Sequence, residues 1–212
     1  MEMRLTSRFP RYAPDDLRTS ANKTSMIDLW LEMHAQTHHN AQGIASGHYD
    51  VALTPYGREQ AQTLLRQRYA QQNFDAAYAS NTQRAYDTAY LMFADRPISL
   101  LQDARLRECD YGIYEGRPRQ EMEAARMAAI HAPYPNGESY DQVVQRMRSF
   151  LTDVAERHGG HSLMLIGHAA TLFSLEHLAH DRPLDATVGM WPERPWRYAL
   201  SSNGLVLRPH TR

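Results

Sequence analysis

Short apolar runs alternate with longer segments of helical period along most of this chain. Residues 27–31 form a strand-like run that stops abruptly at a polar stretch holding His34, His38, His39 and Asn40. Residues 41–51, rich in Gly, Ser, His and Asp, read as a loop. Thr54-Pro55 is a helix start, with Thr as N-cap and Pro in the first helical position. That helix is expected to reach about Gln72, with Ala61, Leu64, Leu65 and Tyr69 on its buried face. Residues 75–79 predict a short buried strand. Ser80-Asn81 opens a helix to about Ala94, broken by Arg96-Pro97, and residues 98–101 are a further candidate strand.

The second half repeats the pattern. Residues 106–114 are mixed polar and aromatic, 121–130 are helical in composition, and 131–137, with Pro133 and Pro135, are a turn-rich connection. Val143, Met147, Phe150, Leu151 and Val154 recur at helical spacing within 139–158, which Gly159-Gly160 closes. Residues 162–166 predict a second buried strand, followed at once by a helix to about His180. From 188 to 207 strand-like patches are interrupted by Pro192 and Pro195 and by Asn203-Gly204, a hairpin signal. Strands alternating with helices predict one α/β domain: a three-layer fold with a mostly parallel sheet and helices on both faces. The active site is expected at the strands' carboxyl ends.

Composition narrows the function classes. At 212 residues the chain can bury one sizeable core, and 42% hydrophobic content is that of a folded protein. The formal net charge of -1 asks for neither a nucleic-acid backbone nor an anionic membrane as partner. A single cysteine, Cys109, excludes an internal disulfide and fits a reducing, cytoplasmic location. There is no apolar run of membrane-spanning length. Residues 1–25 lack the apolar core of a secretory signal and are expected to be a poorly ordered arm, leaving 26–212 as the domain. Eleven histidines raise the prior for metal or proton chemistry.

Two strand ends match: His34 and His168 each stand just past an apolar run, so a parallel sheet would bring both to one edge. Arg84 falls in the first turns of a helix, where the helix dipole and a guanidinium together favour an anion. Glu108 adds a carboxylate. Two histidines, an arginine and a carboxylate at one edge describe phosphoryl transfer through a histidine nucleophile. A zinc reading of His34, His38 and His39 or His48 is weaker, since a His-Glu-x-x-His helix pattern is absent.

These residues sit in motifs that resemble the histidine phosphatase superfamily, which contains phosphoglycerate mutases and many small phosphatases. The matching segments are Met33-His34-Ala35-Gln36-Thr37-His38-His39-Asn40, Leu53-Thr54-Pro55-Tyr56-Gly57, and Ser80 with Arg84, Ala85, Thr88 and Ala89. Leu106-Arg107-Glu108, Asn136-Gly137-Glu138-Ser139 and Gly167-His168-Ala169 complete the series in order. The short segment between Glu108 and His168 is similar to the compact phosphatase branch rather than to the mutases.

The resemblance implies a metal-independent phosphomonoesterase that needs no cofactor and acts on a small phosphorylated substrate. It implies His34 as nucleophile and Glu108 as acid and base. Arg84 and His168 would hold the phosphoryl oxygens, with Thr37, Asn40 and Ala169 completing the phosphate site. Two departures stand out. The family's arginine before the nucleophile is Met33, which can neither donate a hydrogen bond nor carry charge, and the glycine after it is Ala35. His38 or His39, if protonated, is a candidate for the replacement charge. A less positive pocket points to a singly phosphorylated small molecule, and the competing expectation is a degenerate member that binds a phosphorylated ligand or protein partner without turnover. Oligomeric state is not encoded in these motifs.

Overall fold

The computed structural model describes residues 26–201 and 206–210. The predicted N-terminal arm and the Asn203-Gly204 turn lie outside them. The sheet has six strands in the order β3-β2-β4-β1-β5-β6. These are β1 (Met26–Met33), β2 (Ala76–Ser80), β3 (Ser99–Asp103), β4 (Ser162–Gly167), β5 (Trp196–Ser201) and β6 (Leu207–Pro209). The first four run parallel, while β5 and β6 add an antiparallel edge beside β1.

β1 and β4 form the centre; β4 is a near-continuous apolar run, as burial on both faces requires, while β1 carries Asp28 and Glu32 in ion pairs with Arg197 and with Arg68 and Arg194. Alternation along each strand sorts the apolar side chains. Leu29, Leu31, Leu163 and Leu165 face the cluster built with α5 (Tyr140–Arg157) and α6 (Ala169–His180). Trp30, Met164 and Ile166 face the opposite cluster, with Leu65 and the residues of α3 (Gln83–Met92). Val143, Met147, Phe150, Leu151 and Val154 of α5 are all buried, as their spacing predicts. Ser139 caps α5 through a reciprocal capping box with Gln142.

Local differences from the sequence expectations have physical causes. A short helix, α1 (His38–Gln42), occupies part of the expected loop; a capping box between Thr37 and Asn40 nucleates it, and five residues are too few to show a period. Thr54 caps α2 (Pro55–Gln60) with Pro55 in its first turn. The helix continues through a π turn (Ala61–Leu65) and ends at Arg68 instead of Gln72. The wider π turn carries Leu64 outward to 48% exposure, while Ala61, Leu65 and Tyr69 stay buried. The helix expected over 121–130 is regular only in α4 (Arg119–Ala125), after which the chain continues in turns. Gly57 has a steric role: a Cβ there would lie 2.0 Å from the Gln36 carbonyl oxygen, so only glycine lets α2 sit against the loop that follows β1.

Candidate active site

A cavity of about 210 Å³ opens at the carboxyl ends of β1 and β4 and is lined by His34, Arg84 and Glu108 among others. Parallel pairing of Met33 with Gly167 ends both strands at one level, and the backbone N–H of His34 donates to the Gly167 carbonyl at 3.2 Å. The rings of His34 and His168 therefore stand 5.0 Å apart. Strand register alone produces this meeting of two residues far apart in sequence.

His34 Nδ1 lies 2.8 Å from the Ala35 carbonyl oxygen. A carbonyl only accepts, so Nδ1 carries the proton and Nε2 keeps its lone pair. Burial and the adjacent Arg84 push the His34 pKa down to about 3. The imidazole is neutral at ordinary pH, as a nucleophile requires. His168 is held well below the usual histidine range by burial, then by Arg84 and His34. Its Nδ1 is 3.5 Å from an Arg84 guanidinium nitrogen and its Nε2 is 3.4 Å from the Thr82 hydroxyl.

Arg84 is only 1% exposed. Its two terminal nitrogens donate to the carbonyls of Tyr49 and Gly47, each at 2.7 Å, while Nε is buried with no partner. The Nε–H is the donor left for a ligand oxygen. Gly47 has φ +50° and presses against Glu115, whose Oε1 a Cβ would meet at 2.1 Å. The same Oε1 accepts from the His48 N–H at 2.6 Å. Glu115 thus sits beneath the loop that clamps Arg84.

Glu108 lines the cavity at the N-terminus of α6. Its oxygens accept from the N–H groups of Cys109 at 2.8 Å, Ala170 at 3.1 Å and Ala169 at 3.2 Å. Arg146 of α5 fixes this loop from behind, donating to the carbonyls of Arg105, Arg107 and Glu108 and to the carboxylate of Glu138. Ser139 and Glu138, part of one family-like motif, hence act on helix capping and loop anchorage.

The remaining expected phosphate contacts divide. Asn40 lines the cavity, and its Oδ1 accepts from the Thr37 backbone and hydroxyl at 3.0 Å each, which leaves its amide nitrogen as a donor. Thr37 is fully buried, does not line the cavity, and spends its hydroxyl on capping α1. Ala169 lines the cavity, but its N–H is directed to Glu108. Among the described residues no group of three or more His, Cys, Asp or Glu is arranged to hold a metal.

Both departures acquire a physical meaning. Ala35 is buried, packs with Leu53, Ala61 and Leu91, and is not among the positive-φ residues, so its methyl group causes no strain. Met33 lines the cavity with its side chain, and its backbone N–H donates to Glu32. The replacement charge does not come from the candidate histidines. His38 is exposed and away from the cavity lining. His39 bonds Ser46, and burial, Arg84 and His38 lower its pKa. Instead Arg119 and Arg126 line the outer wall with Met122 and Trp191. The pocket is therefore not the poorly charged one that Met33 suggests. Residues 119, 122 and 126 share one face of a helical turn, a spacing readable in the sequence once the helix is placed there.

The family model of the histidine phosphatase superfamily (branch 1) matches residues 29–192. A Hydrogenobacter thermophilus protein provisionally named phosphoserine phosphatase 2 is 34% identical, over 85% of this chain and 88% of its own. The adenosylcobalamin/alpha-ribazole phosphatase of Escherichia coli K12 is 29% identical, over 81% and 84%. Among solved structures, Bacillus stearothermophilus YhfR superposes with a TM-score of 0.74 at 27% identity, over 86% of this chain and 95% of that one. With that match over most of its length, and with His34, Arg84 and Glu108 around one cavity at the sheet's carboxyl edge, this chain belongs to the histidine phosphatase superfamily.

Proposed function

We propose that the protein is a phosphomonoester hydrolase that works through a phosphohistidine at His34, without a metal ion. The observation that carries this reading is the hydrogen bond from His34 Nδ1 to the Ala35 carbonyl, which leaves a neutral Nε2 facing a cavity shared with Arg84 and Glu108. Nε2 attacks phosphorus; an N–P bond forms as the bond to the departing alcohol oxygen breaks, and Glu108 supplies the proton that oxygen takes. Water then attacks the phosphohistidine, Glu108 accepts its proton, and phosphate leaves with His34 restored. Arg84 Nε is the donor for the phosphoryl oxygens, with the Asn40 amide beside it; His168, outside the cavity lining and with its Nε2 at the Thr82 hydroxyl, backs Arg84. Thr37 supports α1, and the Ala169 N–H orients Glu108.

A cytoplasmic location belongs to the same reading. Cys109 is a buried free thiol, and no described helix is long and apolar enough to cross a membrane. The small cavity suits a small phosphorylated substrate, because ligand clefts of drug-sized molecules typically run from about 300 to 1,000 Å³.

The test is hydrolysis of para-nitrophenyl phosphate with a chelator present, by the natural chain and His34→Ala, with mass analysis for an acid-labile phosphoryl adduct on His34. Turnover and adduct, both abolished by His34→Ala, are expected. Turnover that survives His34→Ala would refute the mechanism. Met33 specifically favours a second reading, a member that binds phosphorylated ligands without turnover. Folded protein that binds phosphate but hydrolyses nothing would select it.

A further inference from the structure

We propose that His48 is a positioning residue that fixes Arg84 and Glu108 relative to one another. This rests on the phosphomonoesterase reading, with Glu108 as the acid, and adds to it the residue that joins the acid to the phosphate clamp.

The first ground is that one short turn reaches both groups. Gly47 and His48 are the central residues of a tight turn, closed by the Tyr49 N–H donating to the Ser46 carbonyl at 2.8 Å. The neighbours of His48, Gly47 and Tyr49, provide the carbonyls that take the two terminal nitrogens of Arg84 at 2.7 Å each. From the same turn the His48 ring reaches the Glu108 backbone, where its Nε2 lies 2.9 Å from the carbonyl oxygen. A carbonyl only accepts, so Nε2 carries the proton and donates.

The second ground is that this bond has no rival and the turn is held at its back. Glu138 Oε2, at 3.8 Å from Nε2, and Asp110 Oδ2, at 3.7 Å from Nδ1, lie beyond hydrogen-bond length and do not draw the ring from the carbonyl. The His48 N–H donates to Glu115 Oε1 at 2.6 Å, the oxygen against which Gly47 packs. The third ground separates alignment from folding. Arg146 donates to the same Glu108 carbonyl at 2.9 Å, so the acid's loop keeps an anchor without His48. What the ring adds is the tie to the Arg84 clamp. A displacement of about 1 Å among reacting groups costs about a hundredfold in rate, which makes that tie a catalytic quantity.

The test compares the natural chain with His48→Gln, whose amide nitrogen stands near the place of Nε2, and with His48→Leu, which has no donor. Each is assayed on para-nitrophenyl phosphate, whose leaving group departs with little help from an acid, and on glycerol 2-phosphate, whose alkoxide needs the Glu108 proton. His48→Leu is expected to lower kcat about a hundredfold on glycerol 2-phosphate and about tenfold on para-nitrophenyl phosphate, with His48→Gln recovering most of both. A smaller folded fraction lowers both esters alike, so the ratio between them reports alignment. A ratio that His48→Leu leaves unchanged, or that His48→Gln fails to restore, would overturn the proposal. His48→Asn, polar but too short for the Glu108 carbonyl, should behave as His48→Leu does and serves if the latter does not fold. Hydrolysis of neither ester by the natural chain would count against the hydrolase reading alone. In that case, or if only one ester is hydrolysed, the Kd of inorganic phosphate carries the test, read by tryptophan fluorescence because Trp191 lines the cavity. His48→Leu should weaken phosphate binding about three- to tenfold and His48→Gln should preserve it; equal Kd values in all three proteins would refute the role of His48.

Discussion

Replacing Glu115 by glutamine is expected to stabilise the protein at pH 8 and to leave its stability nearly unchanged at pH 4. Burial raises the Glu115 pKa from 4.5 to about 7; the His48 N–H opposes this and the nearby Asp110 carboxylate adds to it. Between those values the folded chain binds more protons than the unfolded one. The stabilisation is fully present below about pH 4.5 and is lost as pH rises through about 7. The full difference corresponds to about 3 kcal/mol, and solvent screening of a half-buried group reduces it to roughly 1–2 kcal/mol. Glutamine keeps an oxygen for the His48 N–H but carries no charge, so it imitates the protonated side chain at every pH. Urea unfolding of both proteins at pH 4, 6 and 8 should show the gap opening with pH, with a rise in Tm at pH 8 of about 2–8 °C. A glutamine variant that is less stable at pH 8, or a difference that does not vary with pH, would refute the reasoning. In that case the carboxylate charge itself would be holding the loop that clamps Arg84.

Three further outcomes are expected. Met33→Arg should raise para-nitrophenyl phosphate hydrolysis by about a hundredfold to a thousandfold. The neighbouring Glu32 is already paired with Arg68 and Arg194 and does not capture the new guanidinium; an unchanged rate would show that position 33 does not reach the phosphoryl group. Because the His34 pKa is held near 3, kcat/KM, once corrected for the substrate's own ionisation near 6, should show no acid-limb break around 6.5, and a break there would mean that His34 titrates normally. Arg146→Met should cost about 2–4 kcal/mol in urea unfolding, since it removes the donor to the Arg105 and Arg107 carbonyls and one donor each from the Glu108 carbonyl and the Glu138 carboxylate, and a loss under about 0.5 kcal/mol would argue that water replaces it.

Near-neighbour physics in the chain itself determined much of this protein. The apolar run of β4 is continuous because both faces are buried. The caps at Thr54 and Ser139 bond N–H groups three residues on, and the stripe of α5 repeats with the helix itself. Those local rules were enough to give the α/β architecture and to bring His34 and His168 to the same sheet edge. Beyond the helix caps, tertiary structure decided which partner the polar groups of the site take. Parallel register set the two histidine rings 5.0 Å apart, tilted by 57°. Distant carbonyls at Gly47 and Tyr49 took two of Arg84's nitrogens, and Glu108 took the Ala169 N–H. Thr37 turned inward to cap a helix too short to announce itself, and a π turn rotated Leu64 into solvent. The arginines opposite His34 became part of the site only when α4 packed over the cavity. A hydrogen bond or ion pair depends on an acceptor tens of residues away, and periodicity carries no record of where that acceptor will stand.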